Sequence, residues 1–241
     1  MSSRREQYDR LHHIAELRFP REDYRHFVEW LNIPRTSSHF TVLDIACGQG
    51  FFLEAARKMN PNLKVLGIDF STAALQKAKT RSPDVVCASA DCLPFPDSTF
   101  DYCTNLGSLE HFDNPLSGLR EMFRVLKPTG KAMIIVPNRY YVGTLWRVLA
   151  YGEEDDQEQE GLTDFHTVSG WKELFLAANL DVTGVQPYNG VDHIAWYFKR
   201  KDGVITEFEK TTRQFLDTFI KPLIPLNLSQ CFVFFLRRQP L

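Results

Sequence analysis

No stretch of this sequence offers the roughly 18 consecutive apolar residues that a membrane-spanning helix needs. The opening residues, MSSRREQYDR, are charged from the fourth position and lead into no apolar core of the signal-peptide kind. Cysteine is scarce: the five, at 47, 87, 92, 103 and 231, are odd in number and include no Cys-x-x-Cys pair. Such a set reads as buried free thiols in a reducing compartment, not as a disulfide framework. No His/Cys/Asp group has metal-ligand spacing, so no metal is expected. A surplus of positive charge is missing too. With 28 basic against 30 acidic residues and a formal charge of −2, nothing in the composition advertises a nucleic-acid partner. These absences point to a cytoplasmic protein acting on something small. A chain of 241 residues with 44% hydrophobic and 24% charged residues is long and apolar enough to bury a sizeable core.

What is present is an alternation. Two helical stretches come first, over 8–19 and from 21 to 31, the second placing Tyr24, Phe27, Val28 and Leu31 on one face before Asn32 and Pro34 stop it. From residue 40, short apolar runs at 40–45, 63–68, 85–88, 100–105 and 131–136 read as strands. Helical patterns at 51–59, 71–80 and 116–126 separate them, Ser71 being a natural N-cap and the turn 127–130 ending the third. A helix at 169–178 and strands at 181–186 and 229–236 resume the pattern. Near-continuous apolar strands between amphipathic helices indicate a parallel sheet covered on both faces. Residues 138–165 form an insertion with an aromatic start (Tyr140, Tyr141, Trp146) and an acidic run at 153–160 that reads as a solvated loop. Residues 190–226 form a second insertion, helical over 206–220. With no repeat and no low-complexity linker, 1–241 reads as one domain, with 1–37 as an N-terminal helical cover.

The chemistry gathers at the carboxyl ends of the strands, where ligands of such sheets collect. After the first strand come Gly48 and Gly50, which allow positive φ and close backbone approach to a ligand. A dinucleotide fingerprint would want a third glycine where Leu53 stands, and a Walker loop would want Gly-Lys-Ser or Gly-Lys-Thr, which does not occur. Asp44, just before the glycines, would repel a pyrophosphate but suits a cationic amino group. Asp69 ends the second strand, where a carboxylate can accept from both ribose hydroxyls. Asp91 follows the third, where it can accept from an adenine amine. Each acid alone also reads as a cap or turn former. Together they describe a nucleoside with a positive tail.

On these residues the chain resembles a class I S-adenosylmethionine (SAM)-dependent methyltransferase of the small-molecule group that includes the ubiquinone/menaquinone methyltransferases. The matching pieces are Val42-Leu-Asp-Ile-Ala-Cys-Gly-Gln-Gly50, Gly67-Ile-Asp-Phe-Ser71, the run 90–101, Ser108-Leu-Glu-His-Phe112 and Arg124-Val-Leu-Lys-Pro-Thr-Gly130. They fall in order over about 40–137. The resemblance implies an α/β fold: a three-layer Rossmann-like sandwich with a mostly parallel seven-stranded sheet and helical insertions. It implies SAM as cofactor and S-adenosylhomocysteine as product. Asp44, Ala46 and the Gly48–Gly50 backbone would hold the methionine part. Asp69 would take the ribose, with Phe70 packing on the adenine and Ser71 among the cofactor-binding residues. Asp91 and the Cys92 N–H would face the adenine, and Asn105 and Leu106 the methionine amine, Asn105 through its carbonyl. Ala46 and Cys47 vary positions the family often fills with Gly and with Cys or Ser.

Methyl transfer from a sulfonium needs alignment first, and a base only for a weakly acidic acceptor. His111, after the fourth strand, is the first candidate, followed by His166 and His193, with Glu110 weaker. The aromatic covers suit an apolar or aromatic small-molecule acceptor with O, N or C as nucleophile, and equally suit an ordinary core. The apolar stripe from 208 to 224 could pack on the sheet, form a dimer or touch a membrane surface. Two alternatives stay open: an RNA or protein methyltransferase, disfavoured by the charge balance and the lack of Asn-Pro-Pro-Tyr, and a SAM-binding regulator without catalysis.

Overall fold

In the computed structural model the described residues are 19–34, 39–152, 166–190 and 223–239. The expected helix at 8–19 apart from Phe19, the expected helix at 206–220, the acidic run at 153–160 and His193 lie outside them.

Seven strands build one sheet: β1 (Thr41–Ile45), β2 (Lys64–Asp69), β3 (Val85–Cys87), β4 (Phe100–Leu106), β5 (Leu126–Pro137), β6 (Leu180–Tyr188) and β7 (Cys231–Arg238). Their order is β3-β2-β1-β4-β5-β7-β6, with β7 antiparallel to both neighbours and every other pair parallel. The expected mostly parallel seven-stranded sheet is therefore the one observed. Among the described residues six helices accompany it: α1 (Asp23–Trp30), α2 (Phe51–Met59), α3 (Thr72–Ala78), α4 (Pro115–Val125), α5 (Val142–Tyr151) and α6 (Val168–Ala177). Alternation along the strands sends side chains to two cores. Leu43, Ile45, Cys103, Ile134 and Phe234 pack with Met122 of α4 and with Trp171 and Phe175 of α6. Val42, Tyr102, Met133 and Val233 pack with Phe27 of α1 and with Phe52 and Leu53 of α2. Helices on both faces make the three layers.

Local signals set several boundaries. The Ser71 hydroxyl caps α3 by accepting from the Ala74 N–H at 3.1 Å. Asn114 caps α4 the same way through Ser117, with Pro115 in the first turn where its missing N–H costs nothing.

Three features depart from the sequence reading. β5 begins at Leu126, and residues 127–130, expected as a turn, belong to it. The ladder to β4 slips between Phe100↔Leu126 and Tyr102↔Lys131, so Pro128 sits in an irregularity where no ladder N–H is required. The first insertion contains the helix α5, which opens at the carboxyl end of β5. Of the five cysteines, which are free thiols, only Cys47, Cys103 and Cys231 are buried. Cys87 and Cys92 are exposed because β3 is an edge strand and the loop after it turns outward.

The sheet order reverses direction between β1 and β4. β1 pairs with β2 as far as Ile45↔Ile68 but with β4 only as far as Asp44↔Thr104. Beyond that pair the ladder between β1 and β4 ends.

Candidate cofactor and methyl-transfer site

The loop leaving β1 folds over the end of β2. The Cys47 N–H donates to Ile68 O at 2.8 Å, and the Gly50 N–H donates back to Cys47 O at 2.9 Å. Gly48 and Gly50 have φ of +53° and +79°, and a Cβ on Gly50 would stand 3.1 Å from Ala78 Cβ of α3. Gly50 is needed both for its backbone conformation and for the close approach of α3. Ala46 takes φ +59° without being glycine, so the departure from the family pattern stores backbone strain here.

Asp69 is a brace as well as an expected ligand. Its Oδ2 accepts from the Gly48 N–H and its Oδ1 from the Ser71 N–H, both at 2.8 Å. The carboxylate ties the glycine loop to the start of α3. On the outer side, Arg81 donates to Gln49 O at 3.1 Å, and its guanidinium lies 4.0 Å from the centroid of the Phe51 ring.

Asp44 is 3% exposed and accepts from the Thr104 hydroxyl at 2.7 Å. Burial pushes its carboxyl up to about 7; the Thr104 hydrogen bond pulls it down in part, and the neighbouring Asp69 charge pushes it up again. Asn105 is buried and donates its amide to Ile45 O at 3.0 Å, while its Oδ1 has no hydrogen-bond partner. Leu106 is buried beside it. The sequence reading assigned Asn105 its backbone carbonyl; the side-chain oxygen is the orphaned acceptor.

The third acid stands on a braced loop. Phe70, at the end of β2, is half-buried. Asp91 is partly exposed, and the Cys92 N–H donates to Ser89 O at 3.3 Å. Arg124 of α4 donates to Leu93 O, Phe95 O and Asp97 and binds Glu121 through two nitrogens, while Glu121 accepts from the Leu93 N–H at 2.7 Å. A Cβ on Gly118 would meet the Phe112 ring at 2.6 Å and lie 3.7 Å from Asp91 Oδ1, so the first turn of α4 brings Phe112 toward Asp91. The sequence reading missed Thr104, Phe112 and the Glu121–Arg124 brace. Phe112 and Arg124, each inside a family motif, carried a signal; Thr104 and Glu121 did not.

His111 ends a 3-10 turn (Leu109–His111) just past β4, its Nε2 3.7 Å from Oε1 of the fully buried Glu110. The two expected catalytic groups are brought together. His166 packs edge-on against Trp171, centroids 4.8 Å apart, which favours a structural role. Beside the carboxyl end of β5, a cleft of about 540 Å³ is lined by Asn138, Tyr140, Thr167, Ser169, Lys172 and Phe232, among others.

A buried carboxyl poised near neutrality, an orphaned amide oxygen and a glycine cradle at the strand reversal want a ligand with a cationic amine and little negative charge. SAM has that character, so the residues present fit it.

Comparison with known proteins agrees. A methyltransferase-domain family model matches residues 43–134. The chain is 30% identical over 174 residues to a demethylmenaquinone methyltransferase of Oceanobacillus iheyensis, covering 62% of this chain and 73% of that protein. It is 30% identical over 224 residues to a demethylmenaquinone methyltransferase of Listeria monocytogenes, covering 81% of this chain and 92% of that one. In fold it is similar to a methyltransferase of Haloferax volcanii solved with the Trm112 activator, with a TM-score of 0.64 at 19% identity over 92% of this chain and 91% of that one. Residues, fold and relatives converge: the chain belongs to the class I SAM-dependent methyltransferases of the quinone-methyltransferase type, enzymes that move a methyl group from SAM to a small-molecule acceptor.

Proposed function

We propose that the acceptor is an aromatic ring of the quinol type carrying an apolar tail, methylated at carbon or oxygen. The observation that carries this reading is the length of the likeness: the alignment to a demethylmenaquinone methyltransferase, 30% identical, covers 81% of this chain and reaches well past its cofactor half. The surface near the acceptor end is consistent with it. Tyr140, Val142, Val148 and Leu149 are exposed on and just before α5, Leu149 at 83%. No helix among the described residues is long and apolar enough to cross a membrane, so a tailed acceptor would be met at a surface.

Bound SAM supplies an electrophilic methyl group on a sulfonium, transferred by in-line displacement. The chain's part is placement and proton handling. Asp44 and Asn105 bind the amino end, Asp69 the ribose, and Asp91, Cys92 and Phe70 the adenine side, with Ala46, Gly48, Gly50, Ser71 and Leu106 shaping the site. A ring carbon is a competent nucleophile when a neighbouring hydroxyl is ionised. His111 takes that hydroxyl proton, and after transfer the ring carbon gives up its own hydrogen as a proton, which restores the aromatic ring; the Glu110 carboxyl lies 3.7 Å from the imidazole.

The test is transfer of labelled methyl from SAM to a demethylated isoprenoid quinol in detergent micelles. Labelled quinol, absent with Asp44→Ala, supports the reading. Label appearing only in added RNA or protein, or binding of SAM with no transfer, overturns it.

A further inference from the structure

We propose that Thr104 is a positioning residue of the cofactor site, its hydroxyl fixing the orientation and charge of the Asp44 carboxylate that meets the ligand's amino group. The inference rests on the reading of Asp44 given above. The β1–β4 register places Asp44 directly opposite Thr104, the last pair of their ladder. Thr104 is 0% exposed and Asp44 3%, on a face otherwise made of Val42, Tyr102 and Leu106. The hydroxyl donates to Asp44 Oδ1 at 2.7 Å, a short charge-assisted geometry. Among the described residues no donor is bonded to Oδ2.

Valine has nearly the shape of threonine and suits a buried strand at least as well, so packing alone does not call for the hydroxyl. What threonine adds is one proton, directed at Asp44. That proton matters because the surroundings oppose the carboxylate. The titratable groups facing it are Asp69 from β2 and the Cys47 thiol from its own loop, and burial is its largest perturbation. No cation among the described residues compensates. Thr104 is the one neighbour that favours the charged form. Without it, Asp44 would hold its proton through the neutral range and present no anion to an ammonium group.

The test measures S-adenosylhomocysteine affinity by calorimetry between pH 6 and 8 for the wild type, Thr104→Val, Thr104→Ser and Asp44→Asn. Wild-type affinity should rise with pH on an acidic limb near 7. In Thr104→Val the limb should move up by about one pH unit, with binding about tenfold weaker at pH 6.5 and a smaller deficit at pH 8. Thr104→Ser should restore both. Carbon-13 titration of the Asp44 carboxyl in ligand-free protein should show the same upward move in Thr104→Val. Should that variant not fold, Thr104→Ala takes its place. An unmoved limb, with affinity either unchanged or lowered equally at every pH, overturns the proposal. If Asp44→Asn also keeps wild-type affinity and limb, the reading of Asp44 falls with it. If Asp44→Asn loses affinity while Thr104→Val does not, only the assignment of Thr104 falls.

Discussion

Replacing Asp44 by asparagine should stabilise the ligand-free protein at alkaline pH while weakening its hold on cofactor. The carboxyl lies at about 7 in the folded protein against an ordinary 3.8, chiefly because it is buried. A raised carboxyl favours folding in its protonated form. That contribution is complete below 3.8 and is lost as pH rises through 7. Between these limits the unfolded chain is ionised and the folded one is not, so stability falls by about 1.4 kcal/mol per pH unit. From pH 5 to 8.5 the wild type should lose about 3 kcal/mol from this group alone, and the asparagine variant none of it. The amide carries its own cost of about 1–3 kcal/mol, because a buried NH2 must find acceptors, but that cost is the same at both pH values. The difference in melting temperature between variant and wild type should therefore swing by roughly 6–12 °C between pH 5 and 8.5, in favour of the variant at high pH. Thermal melts at the two pH values measure it. A constant difference would refute the reasoning, because it would mean that Asp44 is already ionised at pH 5. The same variant should bind S-adenosylhomocysteine more weakly at pH 7.5.

Ala46→Gly should relieve the left-handed strain in the loop (φ +59°) and, after the added freedom of the unfolded chain, raise stability by about 0.5–1 kcal/mol. A small rise in melting temperature checks it, and a fall would show that the Ala46 methyl packs usefully. Arg124→Met removes the clamp on the loop after Asp91 and should cost about 1–3 kcal/mol, the lower end being expected because the side chain is 30% exposed. Hydrogen exchange at the Leu93 amide should quicken, and cofactor affinity should fall through the loosened loop. His111→Ala should lower turnover by about 10²–10⁴-fold with little change in cofactor affinity. Turnover unchanged with a quinol acceptor would remove His111 from the proton transfer.

Much of this protein was legible along the chain. The alternation of apolar runs with amphipathic stretches determined the number of strands and their succession along the chain, and Ser71 marked its helix start through a bond spanning three residues. Gly48, Gly50, Asp44, Asp69 and Asp91 could be proposed for the ligand because they stand at strand ends, which periodicity reveals. Other features depend on what lies alongside. Whether a thiol at 87 is buried follows from β3 being an edge strand, and whether Pro128 ends a strand or rides within it follows from a slip against β4. Only lateral pairing puts Thr104 against Asp44, 60 residues away, or folds Arg124 back onto Leu93 and Phe95. Burial by distant segments also decides that Asp44 titrates near neutrality instead of in the ordinary carboxylate range. Sequence periodicity encodes which residues share a face, whereas charge state and orientation depend on the dielectric and the donors that the rest of the fold supplies.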